Sequence, residues 1–328
     1  MTKTQQEEQG RSCFRTTIGG QALIEGILMR GPSKQAIVVR GPEGGLIVKE
    51  EKLKLVRGRS PLLSIPVVRG VMTFGASLYN GIKALMFSAE FYPEDGEEEE
   101  EPGKVEQWLE ARLGSEKLTS LITALALVLG VGFSIVLFFL LPTFVAGLFD
   151  YFWNSALIHN VVEAVIRIVV FLGYLILCSR MKDIKRVFSY HGAEHKSIFC
   201  YERGLELTVE NVRKMPRHHP RCGTSFLFVV IIISILVSSV VFSLPFVAWD
   251  NLWVRMGLHL LLLPLVVGIS YEINRYAGRH DNPVTRVLTA PGLWLQNFTT
   301  FEPDDSMIEV GIEALKLVLP EEKGADAW

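Results

Sequence analysis

Long uncharged runs separated by charged stretches set the pattern of this chain. Leu118 to Leu141 is 24 residues without one Asp, Glu, Lys or Arg, and Pro142 follows it. About 20 apolar helical residues cross a bilayer core, so the run reads as a first membrane-spanning helix. Ala156 to Cys178 reads as a second, interrupted by Glu163 and Arg167. Thr224 to Trp249, rich in Ile and Val, reads as a third. Val254 to Tyr271 reads as a shorter fourth, with Arg255 at its edge and His259 one turn inside. The segment 66–92 is mostly apolar but carries Arg69, Lys83 and Glu90. It therefore reads as a helix lying in the membrane interface or packed on the bundle, with a fifth span as the alternative.

The rest of the chain is arranged around these spans. In the N-terminal region 1–65, residues 35–52 hold two β-prone runs joined by a Gly/Pro turn, which predicts a hairpin. The run Glu94–Glu101 makes 93–117 an acidic linker with a short helix, and such charge runs are usually solvated. Spans 118–178 and 224–273 bracket a loop, 179–223, and 274–328 reads as a small C-terminal tail with a final helix over Met307–Leu319. The fold class expected is a mainly α-helical integral membrane protein with a small β-hairpin region and cytoplasmic helical segments.

Charge then orients the spans. The loop 142–155 contains no Lys or Arg, whereas 179–223 contains ten, and Arg275, Arg279 and Arg286 follow the fourth span. Basic loops stay in the cytoplasm, so both termini and the 179–223 loop are expected there, in a multi-pass protein of the cell membrane. The polar, partly acidic start lacks a signal-peptide pattern. Cys13, Cys178, Cys200 and Cys222 form no CxxC pair and fall on the reducing side, so no disulfide framework is expected. A net charge of −2 offers no basic field for nucleic acid. The chain also has no GxxxxGK[ST] pattern for a nucleotide. The partners expected are the lipid bilayer and other membrane proteins.

The candidate chemistry lies in the loop. Met181, Ile184, Phe188, His191, His195 and Ile198 recur at spacings of three and four, one stripe of a helix. Two histidines thus stand where apolar residues are expected. At 100° per residue, His195 lies about 40° from His191 and Glu194 about 60° to the other side, so two imidazoles and a carboxylate share one face. Histidines one turn apart reach one divalent cation, and HxxEH is the inverted zinc-protease motif whose glutamate acts as general base. The alternative is a satisfied polar cluster on an interfacial helix. Further ligand candidates are His219 and Cys222, just before the third span, and Glu272, at the cytoplasmic end of the fourth. The metal expected is a divalent transition ion, zinc above the others. Glu25 is either a further arm of the site or a partner of Arg30, and Glu302, Asp304 and Asp305 read as a solvated turn.

Four blocks carry a resemblance. Gly19 to Gly26 with Met29 to Pro32, Tyr190 to Lys196, His219 to Thr224 and Thr299 to Asp305 together resemble the YqhQ-like family of bacterial membrane proteins. The resemblance covers nearly the whole chain from Gly19 onward. It implies a bacterial cell-membrane location and a metal-dependent enzyme, without implying a substrate. Two functions follow from the residues. One is a membrane-embedded metal-dependent hydrolase with Glu194 as base. The other is a non-catalytic scaffold, insertion or assembly factor, or transport component, whose histidine cluster is structural.

Overall fold

A computed structural model describes residues 14–53, 65–92, 112, 114–149, 152, 155–247, 250–280, 282–322 and 324–327. Cys13 and the acidic run Glu94–Glu101 lie outside them. Four strands, β1 (Gly19–Leu23), β2 (Gly26–Arg30), β3 (Lys34–Arg40) and β4 (Leu46–Lys52), form an antiparallel sheet in the order β1-β2-β3-β4. The β3–β4 hairpin is the one predicted. The β1–β2 hairpin is additional, and its signal was hidden because Ile24-Glu25 is not a usual turn pair. Glu25 takes a positive φ of 49°, a conformation normally left to Gly or Asn.

The helices are α1 (Val68–Ala89), α2 (Ser115–Ile135), α3 (Leu141–Phe149), α4 (Ala156–Ser179), α5 (Lys182–Glu202), α6 (Val209–Arg213), α7 (Gly223–Phe242), α8 (Leu252–Arg279), α9 (Pro283–Thr299) and α10 (Asp305–Val318). Four helical stretches are long and apolar enough to cross a membrane: Leu121–Phe149, Ala156–Ser179, Gly223–Phe242 and Leu252–Arg279. Helix α1 is not among them. The first stretch does not stop at Pro142 as expected. A π-helical turn, Val136–Leu140, links α2 to α3, and its shifted hydrogen bonding absorbs a residue that has no N–H to give. The third is shorter than expected, ending at Phe242, and the fourth runs on to Arg279 with Pro264 inside it.

Two compact units divide the chain. The smaller draws on Pro93–Gly173 and Ile235–Leu263. At its centre the Glu163 carboxylate accepts from Arg167 (2.5 Å), Arg255 (2.6 Å) and the Thr143 hydroxyl (3.0 Å), and His259 Nε2 lies 3.0 Å away. The Glu163–Arg167 pair is therefore part of a larger buried polar cluster, as polar groups within apolar spans must be.

The larger unit draws on Met1–Tyr92, Tyr174–Ser234 and Pro264–Trp328. Its sheet alternates side chains between two cores, as the pleat requires. Ile27, Met29, Ala36 and Val38 pack with Tyr190, Ala193 and Ile198 of α5 and with Val310, Ala314 and Leu315 of α10. Leu23, Leu28, Ile37 and Val39 pack on Ala84 and Phe87 of α1. The C-terminal segment read as a tail thus supplies α10, one of the most buried helices. Its N-cap is Asp304, which accepts from the Met307 amide (3.0 Å), and Asp305 pairs with Arg213.

Helix α5 is enclosed beyond its predicted stripe: Tyr190, Gly192 to Ile198, Cys200 and Glu202 are all buried, while Met181 is exposed. Close approach on two sides depends on glycine. A Cβ on Gly192 would stand 2.1 Å from the Phe301 carbonyl oxygen, and one on Gly311 of α10 would stand 2.7 Å from Ser197 Oγ. Gly192→Ala should therefore cost about 1–3 kcal/mol through overpacking. A lowered melting temperature of the solubilised protein would show it. Gly19→Ala, whose Cβ would meet nothing within 4 Å, should leave the melt unchanged.

Candidate metal centre

Helix α5 and the segment just before α7 bring three donor side chains together. One ring nitrogen each of His191 and His195 and the Sγ of Cys222 form a group in which every ligand atom lies within 4.8 Å of the others, and His195 and Cys222 are buried. The imidazole centroids of His191 and His195 are 4.3 Å apart, as one helical turn on a single face requires. Cys222 Sγ lies 3.1 Å from His191 Nε2.

The other nitrogen of each ring decides the tautomer. His191 Nδ1 is 2.8 Å from the Thr299 carbonyl oxygen, and His195 Nδ1 is 2.5 Å from that of Arg217. A carbonyl only accepts, so both Nδ1 atoms carry the proton and both Nε2 atoms present a lone pair. Metal-binding histidines are held in this way. Nε2 of His195 is buried and has no hydrogen-bond partner. An orphaned acceptor beside a second lone pair and a thiol is the environment a cation completes, so this donor set fits a metal ion.

Electrostatics sharpen the contrast among these groups. Burial pushes His195 down to about 4, favouring its neutral, ligating form. Burial alone would raise the Cys222 thiol, but the adjacent His195 imidazole and the Thr224 hydroxyl and amide bring it below its usual value. Glu194 is not in the donor group. Burial lifts its carboxyl to about 7, against the opposing pull of His191, and its Oε1 accepts from the Gly20 amide at 2.9 Å.

The other candidates fall elsewhere. His219 is buried close by, its ring 5.5 Å from that of His195, but its Nε2 faces Glu202 at 3.5 Å. Glu202 also accepts from the Thr16 amide (2.9 Å) and from Arg221, and these partners outweigh burial and hold its carboxyl below the usual range. Gln296 clamps the His219 backbone, accepting its amide at 2.7 Å and donating to its carbonyl at 2.8 Å. Glu272 is not brought to the group: both its oxygens are taken by Arg69 on α1. Glu25 pairs with Arg186 and accepts from the Tyr190 hydroxyl at 3.1 Å, so it serves neither the site nor Arg30. Glu302 pairs with the buried Lys196.

Sequence reasoning missed Glu202, Gln296 and the three backbone partners at Gly20, Thr299 and Arg217. Backbone groups carry no residue signature, and the two side chains lie far in sequence from the residues they hold.

A cavity of about 860 Å³ opens on the donors. It is lined by His191, His195, Cys222 and Glu194, and on another side by the stretch from Thr16 to Ala22.

Comparison with known proteins agrees with a whole-chain relationship. The family model described as "Protein of unknown function (DUF1385)" matches residues 65–321. The uncharacterized protein YqhQ of Bacillus subtilis (strain 168) is 37% identical over 306 residues, covering 92% of each chain. No solved structure matches.

Elemental analysis of the purified, chelator-free protein should find about one transition-metal equivalent, as three protein ligands with one open position predict. His191→Ala/His195→Ala should abolish it. Cys222→Ser should weaken it by more than the roughly 10–100-fold that loss of a supporting partner costs.

Proposed function

This chain belongs to the DUF1385 family of unknown function, so its role has to be argued from the site, and we propose that it is a membrane-embedded metal-dependent hydrolase. The observation that carries this reading is the buried, partnerless Nε2 of His195, held beside His191 Nε2 and Cys222 Sγ by a carbonyl on its Nδ1. Imidazole and thiolate together favour zinc. When bound, such an ion supplies Lewis acidity toward water and toward a scissile carbonyl.

Glu194 is the proposed general base. It sits one residue from a ligand yet outside the donor group, and the Gly20 amide fixes one of its oxygens. Its carboxyl, poised at about 7, takes a proton from water and returns it to the leaving group. An environment that raises a carboxyl to neutrality beside ligands of lowered pKa is the arrangement such chemistry needs. The cavity supports catalysis over a closed structural centre, because all three donors and Glu194 line it. The basic loop residues support a cytoplasmic site in a bacterial cell membrane with both termini inside.

The burial of His195 and Cys222 favours one further reading, a structural centre that ties α5 to the start of α7. Glu194→Gln separates the two. A catalytic site predicts normal metal content and melting temperature, with hydrolysis of quenched peptide and ester substrates reduced about 10²–10⁴-fold. A structural site predicts equal rates in both proteins, with His191→Ala lowering the melting temperature.

A further inference from the structure

Strand β1 is an edge of the sheet: it pairs with β2 on one side and with no strand on the other among the described residues. The register shows which of its groups face outward. Leu23↔Gly26 closes a two-residue turn, and such a closing pair is hydrogen-bonded. Alternation then directs the N–H and C=O of Gly20 and Ala22 away from β2. Two contacts agree, since the outward amides of Gly20 and Ile24 go to Glu194 Oε1 and Ser88 Oγ.

This edge lies on the cavity that the metal donors line. The five residues of β1 offer about 17 Å of strand. Gly19 keeps the approach open, since a Cβ there would meet nothing within 4 Å. Leu28, Phe188 and Ile198 supply apolar walls, and Arg30 supplies a positive charge. Arg30 is exposed and makes no hydrogen bond or ion pair among the described residues.

Resting on the hydrolase reading above, we infer that the substrate is a polypeptide segment that binds in extended form as an added strand along β1, with an acidic side chain near Arg30. Edge strands recruit peptides in this way, the backbone giving affinity and alternate pockets giving specificity. The Gly20 amide already engages Glu194, so a strand paired from the Gly20 carbonyl to Ala22 lays its own backbone beside that carboxyl. Cleavage consumes one water. The water oxygen bonds to the peptide carbonyl carbon, the C–N bond breaks, and Glu194 carries a proton from the water to the departing amine. A lipid head group lacks the ladder of amides and carbonyls that this edge matches.

The test uses the full chain in lipid nanodiscs and a fluorescein-labelled heptapeptide pool with a central Glu among Val, Leu and Ala. Anisotropy titrations are run on metal-stripped and metal-loaded protein, so binding is read apart from turnover. Gly19→Trp adds bulk at a cavity-lining position where a Cβ meets nothing within 4 Å, and it replaces no candidate metal ligand. It should weaken binding at least about tenfold, as should N-methylation of alternate peptide amides, with metal content and melting temperature of the variant unchanged. Equal binding by Gly19→Trp or by the N-methylated pool would overturn the inference. So would an absence of peptide binding, including the case where Gly19→Trp instead blocks phosphatidylglycerol. Absence of metal from the wild-type protein would sink the hydrolase reading itself, whereas intact metal without strand-like binding sinks only the peptide.

Discussion

The carbonyls of Thr299 and Arg217 each take the Nδ1 proton of a histidine on α5, and most of what is distinctive at the site follows from those two bonds. They fix the tautomers, orient the rings and turn both Nε2 lone pairs toward Cys222. The two carbonyls come from segments about a hundred and about twenty residues away. The donor group therefore exists only when α9 and the loop before α7 are both docked on α5. Binding of an ion by these donors would for that reason be coupled to folding of this unit.

Docking so tightly requires that backbone approach backbone. Gly192, between the two histidines, leaves room for the Phe301 carbonyl, and Gly311 leaves room for Ser197. The enclosed helix then carries ionisable side chains that water no longer solvates. Each has an answer: Lys196 meets Glu302, Glu202 meets Arg221 and the Thr16 amide, and Glu194 meets the Gly20 amide. Removing one partner of such a group costs more than the net worth of the contact, because the other is left buried and unpaired. Of the ring nitrogens on α5, His195 Nε2 is the one left without a hydrogen-bond partner among the described residues.

In the other unit the same rule works without a ligand. Glu163 gathers two guanidinium groups, a hydroxyl and two imidazoles from helices that are otherwise apolar. Arg255 also lies over the Phe242 ring at 4.0 Å to the centroid, a cation–π contact strengthened by exclusion of water. The cluster gives apolar helices a specific polar contact, where dispersion alone discriminates weakly between arrangements.

Much of this was legible along the chain. Four apolar helices follow from run length, since hydrocarbon demands unbroken hydrophobicity. Helix α5 and its paired histidines follow from 3.6-residue periodicity, which needs no knowledge of neighbours. Cys222 was legible as a candidate from residue type and its place before an apolar run. The π turn before Pro142, the β1–β2 hairpin and the burial of α10 were not, because each rests on contacts rather than on local pattern. Tertiary structure alone chose among the remaining ligand candidates: it turned Glu272 to Arg69 and His219 to Glu202, and left Cys222 facing both imidazoles. Sequence determines which side chains a segment carries and which way its own helix points them. Which atoms from distant segments meet, and which buried lone pair is left over, is settled only when the chain packs, because hydrogen bonds are made to atoms in space.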